Sequence, residues 1–447
     1  MRRIAVVGSG ISGLGAAWAL ARVHDVTVFE AQSRPGGHAN TVRIAQDDAV
    51  RAVDTGFLVY NAKTYPHLVR LFAHLGVASE RSDMSFAVSM DGGRLEYAGS
   101  PRGLFVQKRN LLRPRFWSMV QDILRFYNRA PAWLAQDHGG DGPSMGDYLA
   151  DGGYGRAFVD DHLAPMAAAI WSCPDKEVLD FPAKSLLRFL NNHGLLQVRD
   201  RPQWRTVQGG SQHYVRALTD ALDGRVQCNS PVEALRRGPA GVDLKVDGDW
   251  ARFDDVVVAT HADQALALLG DAATPEERDI LGAFRYSRND AWLHGDTALM
   301  PRRRAAWASW NYLGRTADSS ARTGAVSVTY WLNRLQNLPA PDLFASLNPH
   351  TPPADDTVFA RMTYDHPILD GHACAAQDRL PVLQGANNTW YCGAHVGYGF
   401  HEDGLESGLA VADELGAPVP WRDAVTPASP ADARARPRSG SATQAAA

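Results

Sequence analysis

Residues 3–30 place a strand, a glycine-spaced turn, a helix and a second strand in one uninterrupted run, and few folds accept that order. Arg3-Ile4-Ala5-Val6-Val7 is a short β-branched run suited to a buried parallel strand. Gly8-Ser9-Gly10-Ile11-Ser12-Gly13 follows as GxGxxG, and small and apolar side chains then recur at helical spacing to Arg22. Val26-Thr27-Val28-Phe29 forms the next strand and ends in Glu30, 22 positions after Gly8. In such a unit Gly8 makes the tight turn, Gly10 admits a pyrophosphate to the backbone, and Gly13 lets helix and strand pack closely. The helix start at Ile11 and Ser12 offers free N–H groups and the positive dipole end to phosphates. Glu30 can accept both hydroxyl protons of an adenosine ribose, and its charge disfavours a 2′-phosphate. A GxGxxG alone also suits an ordinary glycine-rich turn. Strand, helix and acid in register favour a dinucleotide site.

A chain of 447 residues is too long for one ordinary core and suggests about two domains. With 45% hydrophobic and 21% charged residues it reads as globular, and a net charge of −4 argues against nucleic acid as a partner. Cys173, Cys228, Cys374 and Cys392 are far apart, without CxxC or Cys/His metal spacing. We therefore expect reduced thiols, no metal and a cytoplasmic setting. The apolar run behind Met1-Arg2-Arg3 mimics a secretory signal, but three spaced glycines and an immediate second strand favour the strand–turn–helix reading. No stretch of about 18 uninterrupted apolar residues occurs, so no membrane span is expected.

Glu30-Ala31-Gln32-Ser33-Arg34-Pro35-Gly36-Gly37-His38 resembles the extended E-A-x-x-R-x-G-G-R pattern of the flavin amine oxidase superfamily. That superfamily includes monoamine oxidases, protoporphyrinogen oxidases and phytoene desaturases. The resemblance implies non-covalent FAD and an α/β fold, with a Rossmann-type FAD-binding domain (parallel sheet with helices) and an inserted α+β substrate domain. The glycine doublet allows a second close approach, and Arg34 can pair with a phosphate or a local carboxylate. His38 replaces the family's last arginine, which changes the charge beside a flavin; the same imidazole could merely hydrogen-bond backbone. Val53-Asp54-Thr55-Gly56-Phe57 looks like the family's third-strand segment, whose small residue passes the isoalloxazine. Arg225–Val232 resembles the strand whose valine, here Val232, reads the adenine, and Asp254–Thr260 the strand that closes the nucleotide sheet. Thr389-Trp390-Tyr391-Cys392-Gly393 reads as a last strand entering a glycine turn. Gly399-Phe400-His401-Glu402-Asp403-Gly404 then opens a helix stopped by Gly416 and Pro418. In the family that helix points its N-terminus at the flavin pyrimidine, and Phe400 matches an aromatic that faces the flavin. Glu402 and Asp403 also suit the plain role of first-turn acids.

These pieces assign residues 1–60, 205–283 and 385–418 to FAD binding, and 60–205 and 284–385 to the substrate domain. The tail from 421 to 447 is rich in Ala, Pro, Ser and Arg, and no core is expected of it. Helical patterns run over Tyr65–Leu75 and Phe116–Tyr127, and Ala325–Trp331 is strand-like. Trp292, Trp307, Trp310 and Trp331 could line an apolar substrate tunnel or simply form core. Lys108–Trp117 mixes basic and large apolar residues and leads into an amphipathic helix. That composition suits peripheral docking at the inner face of a membrane, and equally a solvated basic loop.

Amine oxidases place a lysine near the flavin, and the corresponding stretch, Arg288-Asn289-Asp290, holds none. Trp307–Tyr312, Thr329–Gln336 and Gly399–Gly404 are similar to a bacterial subgroup of FAD-binding oxidoreductases linked to modified fatty acids. This resemblance implies a dehydrogenase or desaturase taking a hydride from a lipid acyl chain. An amine or polyamine oxidase and a non-catalytic flavin- or lipid-binding protein are the alternatives. No catalytic base stands out: His38, His401, His193 and His395 are candidates by position, with Phe400 at the same face.

Overall fold

The computed structural model describes residues 1–46, 49–136, 142–171, 177–197, 200–314 and 327–421. Cys173, Ala325, Val326 and the tail beyond Trp421 lie outside them.

Five parallel strands form the nucleotide sheet, in the order Val226–Gln227, Asp25–Phe29, Arg3–Val7, Asp255–Val258, Thr389–Tyr391. Asp255–Val258 therefore does not close the sheet; Thr389–Tyr391 does. The reason is burial: Val256, Val257 and Val258 have essentially no exposed surface, and such a run needs a strand on each side. The segment expected as a third strand also lies elsewhere. Ala49–Asp54, which contains Val53 and Asp54, pairs antiparallel with Thr41–Gln46 in a separate two-stranded sheet, and Thr55–Phe57 follow its end.

The helix Ile11–Leu20 is buried at all ten positions, as an all-apolar helix must be. One neighbour is the helix His401–Glu414, which glycines bring very close. A Cβ at Gly408 would lie 2.2 Å from the carbonyl oxygen of Ser12, and one at Gly15 2.6 Å from Leu405 Cδ1. The two ends of the chain thus pack into one core, and the αL residue Gly416 (φ 83°) ends the last helix.

An antiparallel meander, Val232–Gly238, Gly241–Val246 and Asp249–Phe253, leads from Val226–Gln227 to Asp255–Val258. A seven-stranded mixed sheet runs in the order Val358–Ile368, Arg285–His294, Phe344–Leu347, Ser327–Trp331, Trp310–Gly314, Phe86–Met90, Leu95–Ala98. Helices between Pro101 and Asn192 surround a separate apolar cluster that includes Phe126, Phe158, Phe181 and Leu190. The longest, Pro114–Leu134, begins with proline at its first position, where the missing N–H costs nothing. Trp307 and Trp331 pack with Met300 and Phe344 in a small cluster of their own, which is a core role and not a tunnel lining. No helix among the described residues is long and apolar enough to cross a membrane.

Candidate active site

The three motif glycines meet different surroundings. Gly8 has φ 102°, and a Cβ there would lie 2.8 Å from the Ala259 carbonyl oxygen; one at Gly13 would lie 2.0 Å from the Gly8 carbonyl oxygen. Both positions are closed by protein backbone. A Cβ at Gly10 would meet nothing within 4 Å. Gly10 thus borders open space at the start of a helix that no side chain caps among the described residues, so its first N–H groups remain for a ligand. Glu30 stands beside this space: Oε2 accepts from the Ser9 N–H (3.0 Å) and Oγ (2.6 Å), and Oε1 from the Gln32 N–H (2.8 Å). Backbone bonds from Ser230 to Glu30 and from Asn229 to Gln32 bring the approach to Val232 alongside. An open cradle, free N–H donors and a fixed carboxylate fit the pyrophosphate and ribose of FAD.

The glycine doublet faces the same cradle. Gly36 (φ 109°) donates its N–H to the Ser9 carbonyl, and a Cβ on Gly37 would lie 3.3 Å from Gly10 Cα. Arg34 does not meet a carboxylate: its guanidinium donates to the carbonyls of Gly37 (2.9 Å) and Ala39 (3.3 Å) and braces the loop. Ala31 is exposed at the loop's start.

Beyond the doublet, Gly56 passes so close to His38 that a Cβ would lie 2.2 Å from the His38 carbonyl oxygen, which also accepts from the Phe57 N–H. Thr55 Oγ1 and Asn40 Nδ2 both reach the Tyr364 hydroxyl, at 2.8 and 3.0 Å. Asp54, just upstream, is buried and accepts from Ser211 and Thr41, which ties this turn to the helix Gln212–Ala221; burial raises its pKa to about 6. The His38 ring lies 5.0 Å from Tyr364, 5.7 Å from His366 and 6.3 Å from His261. His261 stacks on Tyr286 at 4.5 Å. Phe57 stacks on His401 at 3.9 Å, and His401 Nε2 lies 2.6 Å from the Tyr214 hydroxyl.

Burial holds these imidazoles neutral. It pushes His366 down to about 4 and His395 and His401 to about 3, and holds His38 and His261 below their ordinary range; for His38, His366 and His395 neighbouring imidazoles add to the effect. His38 therefore adds no cation where the family pattern has arginine.

The C-terminal residues act mostly as positioners. Burial holds the Glu402 carboxyl well above the usual carboxylate range, and it accepts from the N–H groups of His67 (2.6 Å) and Leu68 (3.0 Å), fixing the helix Pro66–Leu75. Asp403 accepts from the Phe400 N–H at 2.8 Å. Gly393 donates to Ser407 Oγ, Thr260 Oγ1 donates to the His261 carbonyl, and Gly404 packs against Ile11. Phe400 stacks on Phe189 (5.0 Å), and Phe189 on His193 (4.0 Å). Phe400 and Tyr398 thereby pack against the helical cluster of Phe181, Phe189 and Leu190. A cavity of about 500 Å³ opens next to it, walled by Phe181, Ile368, Asp180, Gly371, His372 and the Arg285–Asp370 ion pair.

No lysine occurs on the strand Arg285–His294. Asn289 is buried there, and its Nδ2 donates to the carbonyls of Ser287 (2.9 Å) and Tyr364 (3.2 Å), while its Oδ1 accepts from Asn348 (2.7 Å). That network fixes the amide orientation. The same Nδ2 lies 3.3 Å from His366 Nδ1, which places the imidazole beside this network. His261, His366, Tyr286 and Tyr364 were missed in the sequence. Tyr364 and His366 sit two apart on one strand, hence on one face, and that alternation was the available signal. Among the described residues no three His, Cys, Asp or Glu side chains group as a metal site.

A Rossmann-type sheet with a glycine cradle, a ribose-side acid and a second glycine loop defines a dinucleotide-binding flavoprotein fold. The model of the flavin containing amine oxidoreductase family matches residues 11–285, and the chain belongs to that family. A Mycobacterium tuberculosis protein with the provisional name flavin-containing monoamine oxidase AofH is 29% identical over 282 residues, 61% of this chain and 60% of that protein. The alignment thus spans only about 60% of that relative's length. Solved structures with the same fold include a CLA-producing fatty acid isomerase from P. acnes (15% identity, TM-score 0.65, 93% of this chain and 98% of that one). A putrescine oxidase bound to putrescine is equally similar (15%, TM-score 0.65, 93% and 99%).

Proposed function

We propose that the protein is an FAD-dependent dehydrogenase or desaturase acting on a lipid acyl chain. The observation that carries this reading is the apolar cluster behind Phe400: Phe400, Tyr398 and Phe189 continue into phenylalanines and leucines of the helices, and a cavity beside it is lined by Phe181 and Ile368 together with the Arg285–Asp370 ion pair, Asp180, Gly371 and His372. Such a site matches an amphiphile, with its chain against the apolar side chains and its polar head at the ion pair. When bound, the flavin supplies a two-electron acceptor: a hydride leaves one carbon and a proton its neighbour, C–C becomes C=C, and dioxygen or another oxidant finally takes the electron pair.

The protein's own residues have separable roles in this reading. Gly10, the first N–H groups from Ile11 and Ser12, and Glu30 would hold the dinucleotide, and Thr55–Phe57 with the backbone of His38 would line the site for its flavin end. Neutral His38, His261 and His366 lie together beyond the glycine doublet and would add no charge beside a bound flavin, which suits an uncharged chain. The Asn289 amide, 3.3 Å from His366 Nδ1, positions that imidazole. Oxidation of an amine is the second reading, favoured by the family and by the name of the mycobacterial relative.

Incubating the FAD-loaded protein with fatty acids and phospholipids, then analysing the chains by mass spectrometry, tests the proposal. Acyl products lacking two hydrogens are expected. Aldehyde and hydrogen peroxide formed from amines, with acyl chains untouched, would replace it with the second reading.

A further inference from the structure

Five of the eleven large apolar side chains exposed among the described residues fall within twenty positions: Phe105 (40%), Leu111 (43%), Leu112 (87%), Trp117 (45%) and Leu124 (51%). Phe105, Leu111 and Trp117 adjoin one another. The Phe105 and Trp117 rings lie 6.1 Å apart, and Trp117 Nε1 donates to the Leu111 carbonyl at 2.9 Å, so the indole is held at the surface by the segment it covers. Trp117 and Leu124 are seven residues apart on the helix Pro114–Leu134 and share its outer face, while Phe116, Met119 and Phe126 fill the inner one. Leaving this much apolar surface together in water is unfavourable, and such patches mark interaction sites.

The charge around the patch says what kind. Residues 101–117 hold Arg102, Lys108, Arg109, Arg113 and Arg115 and no carboxylate, on a chain whose net charge is −4. The fold concentrates this charge further. The guanidinium groups of Arg109 and Arg113 converge on the carbonyls of Gly93 and Arg94, at 2.7–3.1 Å, while Arg303 beside them is neutralised by Glu96 at 2.6 Å. Arg115 is neutralised by Asp160 and Asp161, but Arg102 and Lys108 stand exposed beside Phe105 and Leu112. Apolar side chains ringed by cations, on a molecule of opposite net charge, complement an anionic bilayer surface: the side chains enter the acyl boundary and the cations meet the phosphates. We infer that Phe105–Leu124 is a peripheral docking surface for an anionic lipid bilayer. This follows from the surface alone and does not rest on the reaction proposed above.

Sedimentation of the full FAD-loaded protein with vesicles tests it, comparing phosphatidylcholine alone with phosphatidylcholine mixed with phosphatidylglycerol. Binding is expected to the mixed vesicles and to fall with salt. Leu112→Asp is expected to weaken it about tenfold or more, through loss of one inserted side chain. Lys108→Glu is expected to weaken it about fivefold or more. Val382→Asp, at an exposed apolar residue (69%) elsewhere in the chain, serves as the control and should bind as the parent does. Leu112 and Lys108 are exposed and, among the described residues, make no hydrogen bond through their side chains, so flavin content and melting should be unchanged in these variants. Equal binding to neutral vesicles, no binding to either kind, or parent-like binding by Leu112→Asp and Lys108→Glu would overturn the inference. So would vesicle-free self-association of the parent that Leu112→Asp abolishes, because the patch would then be covered by a second copy.

Discussion

Gly10 and Gly13 stand three residues apart in one motif, yet a single methyl group should separate their roles. At Gly13 an alanine Cβ would sit 2.0 Å from the Gly8 carbonyl oxygen, well inside the 3.4 Å at which ordinary contact begins, and backbone cannot rotate away as a side chain can. The helix Ile11–Leu20 would have to lift off the sheet, and overpacking of this kind costs about 1–3 kcal/mol or more. At Gly10 the backbone has φ −66°, which any residue adopts, and the methyl meets no protein atom within 4 Å. Fold stability should change by no more than about 0.5 kcal/mol. The methyl would instead occupy the pyrophosphate's space, and losing one charge-assisted hydrogen bond there, at about 1.5–3 kcal/mol, weakens FAD roughly 10- to 150-fold. Melting temperature followed against FAD concentration resolves the two effects, since a ligand stabilises in proportion to ln(1 + [L]/Kd). Extrapolated to zero FAD, Gly10→Ala should melt with the parent and Gly13→Ala well below it, while Gly10→Ala should need far more FAD for the same rise. Parent-like FAD dependence in Gly10→Ala, or a parent-like zero-FAD melt in Gly13→Ala, would refute the reasoning.

Glu30→Ala should weaken FAD retention by about 10- to 150-fold, because the ribose loses a charged acceptor; unchanged flavin content after exhaustive dialysis would count against that role. Acid should destabilise the fold. His162, His193 and His294 are at most 8% exposed and held near pKa 4, against 6.5 for the free side chain. Their contribution is fully present above pH 6.5, and below it the unfolded chain binds protons that the native state refuses. At pH 5 this amounts to about 2 kcal/mol for each. Denaturant midpoints should drop steeply from pH 6.5 to 5, and a flat profile would show that these rings are not held neutral. Asn289→Asp should raise the His366 pKa by a unit or more through an adjacent carboxylate. The acid limb of kcat/KM should then move to higher pH if His366 serves the reaction, and stay in place if Asn289 is only structural.

The sequence made the nucleotide cradle legible because its parts are consecutive. Turn, helix start and acid all lie within residues 8–30, and each glycine answers a backbone requirement that composition exposes. Sheet order was less legible: Val256–Val258 reads as buried strand, but only its pairing with Thr389–Tyr391 shows that it is interior. The imidazole face was hidden for a related reason. His38, His261 and His366 are brought together by cross-strand pairing and loop contacts over more than 300 residues, and no local period marks them. Glu402 shows a third limit. It reads as a first-turn acid for its own helix, whereas tertiary packing aims it at the N-terminus of Pro66–Leu75.

The central claim is that a flavin held in this cradle accepts electrons from an acyl chain lying against Phe400. Anaerobic titration of the purified holoprotein, watching the visible flavin band, tests it most directly. Bleaching with unsaturated phospholipid or free fatty acid, and none with mono- or polyamines, is the predicted result; bleaching with amines alone would contradict it.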